Sequence, residues 1–207
     1  MNRPRSSVAA KAISAQTQKA AGAPRMGSRE VRIIGGEWKR SKLPVADKPG
    51  LRPTPDRVRE TLFNWLGQDL DGWRVLDAFA GSGALGFEAA SRGATEVLLL
   101  ERDAELARSL NSSRERLKAA NLRVECSDAM GWMGRCAPAR FELILLDPPF
   151  QQELFLPALR AAAPLLAQGG FIYLEAPDLI AAPADLGLEA WRAGKAGAVQ
   201  FQLLRKV

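Results

Sequence analysis

Val75-Leu76-Asp77-Ala78-Phe79-Ala80-Gly81-Ser82-Gly83-Ala84-Leu85-Gly86 decides the fold. A short apolar run ends in an acid, turns through closely spaced glycines and opens into a helix. That order reads as strand, tight turn and helix N-terminus. The glycines let the backbone turn sharply and approach a ligand closely. The first turn of the helix offers unpaired N–H groups. Read only as Gly-x-Gly-x-x-Gly, Gly81, Gly83 and Gly86 would also serve a nicotinamide or flavin cofactor.

The alternation continues downstream. Apolar, strand-sized runs are expected at 74–78, 96–101, 123–126, 143–146 and 171–175, with helices near 83–91, 104–119, 129–134 and 152–166. Such a series gives an α/β fold, a mostly parallel Rossmann-like sheet with helices on both faces. Residues 189–192 and 198–206 read as two further strands joined by a glycine-bearing turn at 193–197. The sheet would then have seven strands and end in an antiparallel hairpin.

Upstream, 31–34 reads as a short strand, Gly35-Gly36 as a turn and 41–45 as a returning strand. A loop with Pro49, Gly50, Pro53 and Pro55 follows. Thr54 is the expected N-cap, with Pro55 at the first helical position of a helix over 56–66. That helix would bury Val58, Leu62, Phe63 and Trp65 or Leu66.

The chain has 207 residues, of which 47% are hydrophobic and 25% charged, the composition of a soluble globular protein. No apolar run reaches the roughly 18 residues of a transmembrane helix. There is no histidine, and Cys126 and Cys136 are the two cysteines. Ser-His-Asp and Cys-His catalysis are excluded, as are His-ligated metals and four-cysteine zinc sites, so no metal is expected. Free thiols in a reducing, cytoplasmic setting are expected.

Charge is unevenly placed. Residues 1–60 carry 14 Lys/Arg against 5 Asp/Glu, and residues 61–207 carry 15 against 18. A basic N-terminal third on a mildly acidic body suits an anionic partner engaged at one end, with nucleic acid the first candidate. Residues 1–30 are expected to be a basic, disordered tail, residues 31–70 a hairpin and helix facing RNA, and residues 71–207 the catalytic domain. The tail also has the composition of an organellar transit peptide, and Met26 is a second candidate start. Lys39, Arg40, Lys42, Lys48, Arg52, Arg57 and Arg59 are the basic residues of the hairpin and helix region. Trp38, among them, either stacks on a base or packs, and packing is the expectation for a single Trp. Trp65 and Trp73 are read as core.

Asp77 argues against a dinucleotide, because its carboxylate at the strand end would repel a pyrophosphate and attract a cationic amino group. The next acidic strand end, Glu101, can accept both hydroxyls of a ribose. The third, Asp128, can accept an adenine amino group or cap a helix. Three acids at three successive strand ends describe a pocket for S-adenosylmethionine.

Leu143-Ile144-Leu145-Leu146-Asp147-Pro148-Pro149-Phe150 supplies the second half of the site. The prolines stiffen the turn and remove two backbone donors, leaving carbonyl acceptors beside Asp147. An exocyclic amino group on a nucleobase is a poor nucleophile, its lone pair being delocalised into the ring. Asp147 and the Pro148 carbonyl, gripping its two N–H bonds, would turn that pair toward a methyl donor while Phe150 stacks on the base. Orientation of this kind supplies about 7–11 kcal/mol of a displacement barrier. Asp147 would also stabilise the positive charge developing on nitrogen. The base must be unstacked to enter. The alternative is a strand-terminating turn with Phe150 as a core plug.

The glycine loop with Asp147-Pro148-Pro149-Phe150 resembles the class I S-adenosylmethionine-dependent amino methyltransferases. Arg32-Ile33-Ile34-Gly35-Gly36 and the run from Leu51-Arg52-Pro53-Thr54-Pro55 to Asn64-Trp65-Leu66 are similar to the ribosomal RNA small subunit methyltransferase D family. The resemblance covers about residues 31–207. It implies methylation of the N2 amino group of a guanine in 16S rRNA, guanine 966 in the usual rRNA numbering, on an assembled or partly assembled small subunit. It places Asp77, Phe79, Gly81, Ser82, Gly83, Glu101, Arg102, Asp128, Ala129 and Thr54 on the cofactor. Asp147, Pro148, Pro149 and Phe150 fall to the target base, and Lys39, Arg40, Lys42, Arg52 and Arg57 to RNA. Glu175-Ala176-Pro177 departs from the expected pattern in being less polar, and no role in shaping the base pocket is assigned to it. Nothing calls for a dimer, and a monomer is expected.

Other readings are methylation of adenine N6 in DNA or RNA, of another rRNA guanine or of a protein glutamine, a nicotinamide oxidoreductase, and a non-catalytic RNA-binding module. Short connections between strands leave little protein to read a DNA sequence. A basic N-terminal third is not called for by a protein substrate.

Overall fold

The computed structural model describes residues 29–149 and 154–207. Phe150, the first residues of the helix expected from 152, and almost all of the expected tail lie outside the described residues.

Strand β1 (Arg29–Arg32) pairs antiparallel with β2 (Lys42–Val45), and helix α1 (Asp56–Trp65) follows. The main sheet then alternates β3 (Arg74–Asp77), α2 (Ala84–Ser91), β4 (Glu96–Glu101), α3 (Ala104–Leu117), β5 (Leu122–Cys126), α4 (Ala129–Met133), β6 (Phe141–Leu146), α5 (Phe155–Ala162) and β7 (Leu166–Ala176). Strands β8 (Leu188–Ala196) and β9 (Val199–Lys206) close it as a hairpin. Spatial order is β5-β4-β3-β6-β7-β9-β8. The first five strands in that order are parallel; β9 pairs antiparallel with both β7 and β8.

Side-chain alternation along the strands builds two cores. Val75, Val97, Leu99, Leu143 and Leu145 pack with Leu62 and Phe63 of α1 and Phe87 of α2. Leu76, Leu98, Leu100, Ile144 and Leu146 pack on the other face with Met133 of α4 and Ala158, Leu159 and Ala162 of α5. Val31, Ile33, Leu43 and Val45 of the N-terminal hairpin belong to the first core. The hairpin therefore lies over α2, every residue of which is buried.

Several expected boundaries shift: β1 ends at Arg32 rather than at 34, and β7 begins at Leu166 rather than at 171. Pro164 ends the helix early: α5 stops at Ala162 and a single 3-10 turn, Ala163–Leu165, follows. The turn expected at 193–197 shrinks, because Ala193 to Ala196 continue the ladder to an Ala196–Val199 pair. Gly197, with φ +61°, takes the first central position of a two-residue turn.

Thr54 is not the cap of α1. Pro55 holds the N-cap position with no side-chain hydrogen bond, and the Thr54 hydroxyl is used elsewhere. Arg59, one of the basic residues of this region, is not a surface cation. It sits on the apolar stripe of α1 with Leu62 and Phe63 and is fully buried. Its guanidinium donates to Glu88 Oε2 (3.1 Å), Asp56 Oδ1 (2.6 Å) and the carbonyls of Thr54 (3.1 Å) and Arg32 (2.8 Å). Glu88, also fully buried, accepts as well from the Ile34 N–H (2.9 Å) and Arg92 Nε (2.9 Å). This network ties hairpin, α1 and α2 together, and its satisfied donors are what make a buried charge pair tolerable.

Candidate active site

The carboxyl ends of β3, β4, β5, β6 and β7 meet at one edge of the sheet. The chain passes from β3 to β4 on one side, while β6 lies on the other. The crevice between β3 and β6 is therefore the switch point at which open α/β sheets bind ligands. Asp77 is the last residue of β3, and Glu101 the last of β4. Leu146 pairs with Leu174, so Asp147 and Glu175 follow side by side on neighbouring strands.

Asp77 is 2% exposed. Its Oδ2 accepts the Gly86 N–H at 2.9 Å, which holds the start of α2 against the strand end. Gly86 permits that approach: a Cβ there would sit 2.7 Å from Leu99 Cδ1 and 2.9 Å from Asp77 Oδ2. Gly83 supplies the left-handed turn before the helix, with φ +77°. Burial pushes the Asp77 carboxyl up to about 7; Glu101 adds to the shift, and the Gly86 and Phe79 N–H groups oppose it. No basic side chain among the described residues forms an ion pair with Asp77. A buried, unpaired carboxylate held at a strand end suits a cationic ligand group.

Glu101 Oε2 accepts the Gly81 N–H (2.9 Å) and Oε1 the Asp103 N–H (2.8 Å), which shapes the glycine loop. A carboxylate has about four acceptor sites, so capacity for two hydroxyls remains. Asp128 is the N-cap of α4, accepting the Gly131 N–H at Oδ2 (2.7 Å); its exposed carboxylate keeps Oδ1. Phe79, Gly81 and Ser82 are half-buried, Gly83 and Ala129 buried, and Arg102 exposed, all at this edge.

Asp147 is partly exposed, Pro148 buried and Pro149 exposed. Desolvation raises the Asp147 carboxyl well above its ordinary range, and the charges of Glu175 and Asp77 raise it further. Glu175 is buried beside Asp147, and its Oε1 accepts from Thr54 Oγ1 (2.7 Å) and the Tyr173 hydroxyl (2.9 Å). Burial raises its pKa, and both hydrogen bonds oppose that. The spacing Tyr173-x-Glu175 puts both side chains on one face of a strand, a local signal that could have revealed the pair.

The basic residues divide. Lys39, Arg40, Arg52 and Arg57 are exposed and make no ion pair among the described residues. Lys42 is exposed and bridges Glu30 (2.7 Å). Lys48 is committed to Asp103 (2.6 Å) and Glu105 (2.9 Å). Trp38, Trp65 and Trp73 are partly buried against the core, as packing residues.

A seven-stranded sheet in this order, closed by an antiparallel last strand and edged with acids at the switch point, is the class I methyltransferase architecture. Fold and family together imply S-adenosylmethionine as the methyl donor. The family model described as conserved hypothetical protein 95 matches residues 31–205. Ribosomal RNA small subunit methyltransferase D of Escherichia coli (strain K12) is 42% identical over 187 residues, 87% of this chain and 92% of that protein. The protein of the same name from Haemophilus influenzae is 45% identical over 128 residues, 60% of this chain and 66% of that one. Among solved structures, yhhF from Escherichia coli superposes with TM-score 0.77 at 38% identity, covering 86% of this chain and 98% of that one. TrmN from Thermus thermophilus superposes with TM-score 0.61 at 27% identity, covering 72% and 48%. The chain belongs to the ribosomal RNA small subunit methyltransferase D family.

Proposed function

We propose that the protein methylates the exocyclic N2 amino group of a guanine in 16S rRNA, guanine 966 in the usual rRNA numbering, within an assembled or partly assembled small subunit. It works in the cytoplasm as a monomer. The observation that carries this reading is the placement of Asp77 and Asp147 at the ends of adjacent parallel strands, an acid fit for a cationic cofactor group beside an acid fit for an amino group. The family membership points to the same chemistry.

S-adenosylmethionine, when bound, supplies a methyl group on a sulfonium. Asp77 holds its cationic amine, Glu101 its ribose hydroxyls and Asp128 its adenine amino group. Phe79, Ser82, Arg102 and Ala129 border it, and Gly81 and Gly83 let the loop approach. Asp147 accepts one N–H of the target amine and the Pro148 carbonyl the other, which turns the nitrogen lone pair out of conjugation. Pro149 stiffens the turn and Phe150 stacks on the base. As nitrogen gains the methyl it becomes cationic, and Asp147 lies where that charge develops. The nitrogen then loses one proton, for which a carboxylate of raised pKa is a suitable acceptor. Residues 31–70 face RNA, with Lys39, Arg40, Lys42, Arg52 and Arg57 on phosphates.

Purified protein is incubated with radiolabelled S-adenosylmethionine and small subunits from cells lacking the enzyme, and the digested RNA is searched for the labelled nucleoside. Label in N2-methylguanosine at that position is expected. Label in another nucleoside, or none in RNA, would overturn the assignment.

A further inference from the structure

We propose that Glu175 is a positioning residue for methyl transfer, acting on the substrate amine through Asp147, and that Thr54 ties its placement to the N-terminal hairpin. The inference rests on the reading of Asp147 given above.

Glu175 is buried, carries no ion pair among the described residues and has no task in the fold that a glutamine would not perform. Its two donors, Thr54 and Tyr173, converge on Oε1. A carboxylate pinned by one oxygen keeps a fixed orientation, and the strand register sets it beside Asp147. The groups facing the pair are Asp77 on β3, Tyr173 on β7 and Thr54 in the loop before α1. None is cationic. The negative charge of Glu175 therefore disfavours ionisation of Asp147 and keeps its carboxyl raised. A carboxyl so poised binds an amine as carboxylate and is a stronger base for the proton released after transfer than an ordinary aspartate.

Thr54 brings in the hairpin. Its hydroxyl holds Glu175, and its carbonyl accepts from Arg59, which also binds the Arg32 carbonyl at the end of β1. One chain of hydrogen bonds thus runs from β1 to the acid pair. The hairpin that faces RNA and the carboxylate beside the target base are fixed by the same loop residue.

The test is single-turnover methylation of small subunits across pH 5 to 9, with thermal melts and cofactor affinity measured on the same variants. Glu175→Gln keeps the acceptor for Thr54 and Tyr173 and removes the charge. The acid limb of its rate profile is expected to move to lower pH, with cofactor affinity unchanged. Thr54→Val weakens the ionised form of Glu175 and should move the limb the same way by less, while Thr54→Ser restores the parent profile. An acid limb in Glu175→Gln that coincides with the parent overturns the inference, whatever the change in rate. Asp147→Asn separates the two readings. If it retains the parent rate, the function assigned to Asp147 fails; if it is inactive while Glu175→Gln leaves the profile in place, only the role of Glu175 fails.

Discussion

Asp77→Asn should make the cofactor-free protein more stable and less able to bind its cofactor. Asp77 titrates near 7 in the fold against about 3.8 in the unfolded chain, so the fold holds an extra proton between those values. A raised acid pKa means stability falls as pH rises from about 4 to about 7 and is then level. The shift of about 3 units corresponds to about 4 kcal/mol of penalty above pH 7. Asparagine removes that penalty but offers one oxygen where the Gly86 and Phe79 N–H groups both bond, and an unmet donor costs about 1–3 kcal/mol. The net gain at pH 8 is about 1–3 kcal/mol, a rise in melting temperature of about 2–12 °C for a domain of this size. At pH 5 most of the penalty is absent from the parent, so the gain should vanish or reverse. Melts of both proteins at pH 5 and pH 8, with and without S-adenosylmethionine, read this directly. The ligand should raise the parent's melting temperature at pH 8 and leave the variant's unchanged. A variant less stable than the parent at pH 8, or one stabilised equally by the ligand, would refute the argument that Asp77 is a buried charge kept for a cation.

Arg59→Met should cost about 3 kcal/mol, the low end for breaking a buried ion pair, because Arg92 still bonds Glu88 Oε1; urea unfolding followed by circular dichroism measures it. Arg40→Glu with Arg57→Glu should weaken RNA binding and flatten the slope of log affinity against log salt by about 0.7–0.9 for each phosphate no longer neutralised. An unchanged slope in filter binding at several salt concentrations would remove these two side chains from the RNA surface.

What the sequence made legible is local. Asp77, Glu101, Asp128 and Asp147 are each the acid that closes or follows an apolar run, and a parallel sheet brings every such end to one edge. The alternating order of strands and helices was enough to give the sheet and its closing hairpin. Thr54 before Pro55 has the pattern of a cap, and Arg59 that of one more surface cation in a basic region, when only neighbours in sequence are considered. The partners that decide otherwise are 121 residues away for Thr54 and 29 for Arg59. Burial of Arg59 was nonetheless encoded, since 59, 62, 63 and 66 lie on one helical face.

Thr54 and Arg59 also bear on what the N-terminal segment does. A basic extension that merely docks RNA needs exposed cations and a flexible link to the catalytic sheet. Here the cations Lys39, Arg40, Arg52 and Arg57 are exposed, but the segment bearing them is anchored by a buried arginine and contributes Val31, Ile33, Leu43 and Val45 to the sheet's own core. Removing residues 31–55 would strip that core face, leave Arg59 without its two carbonyl partners and leave Glu88 without the Ile34 N–H. The extension and the catalytic sheet therefore form one folding unit, and on the proposed function a phosphate bound at the hairpin would lie at a fixed distance from Asp147. For an enzyme with short connections between its strands, that rigidity would take the place of a separate recognition domain. The shape of the RNA around the target base, rather than its sequence, would then be the feature the protein measures.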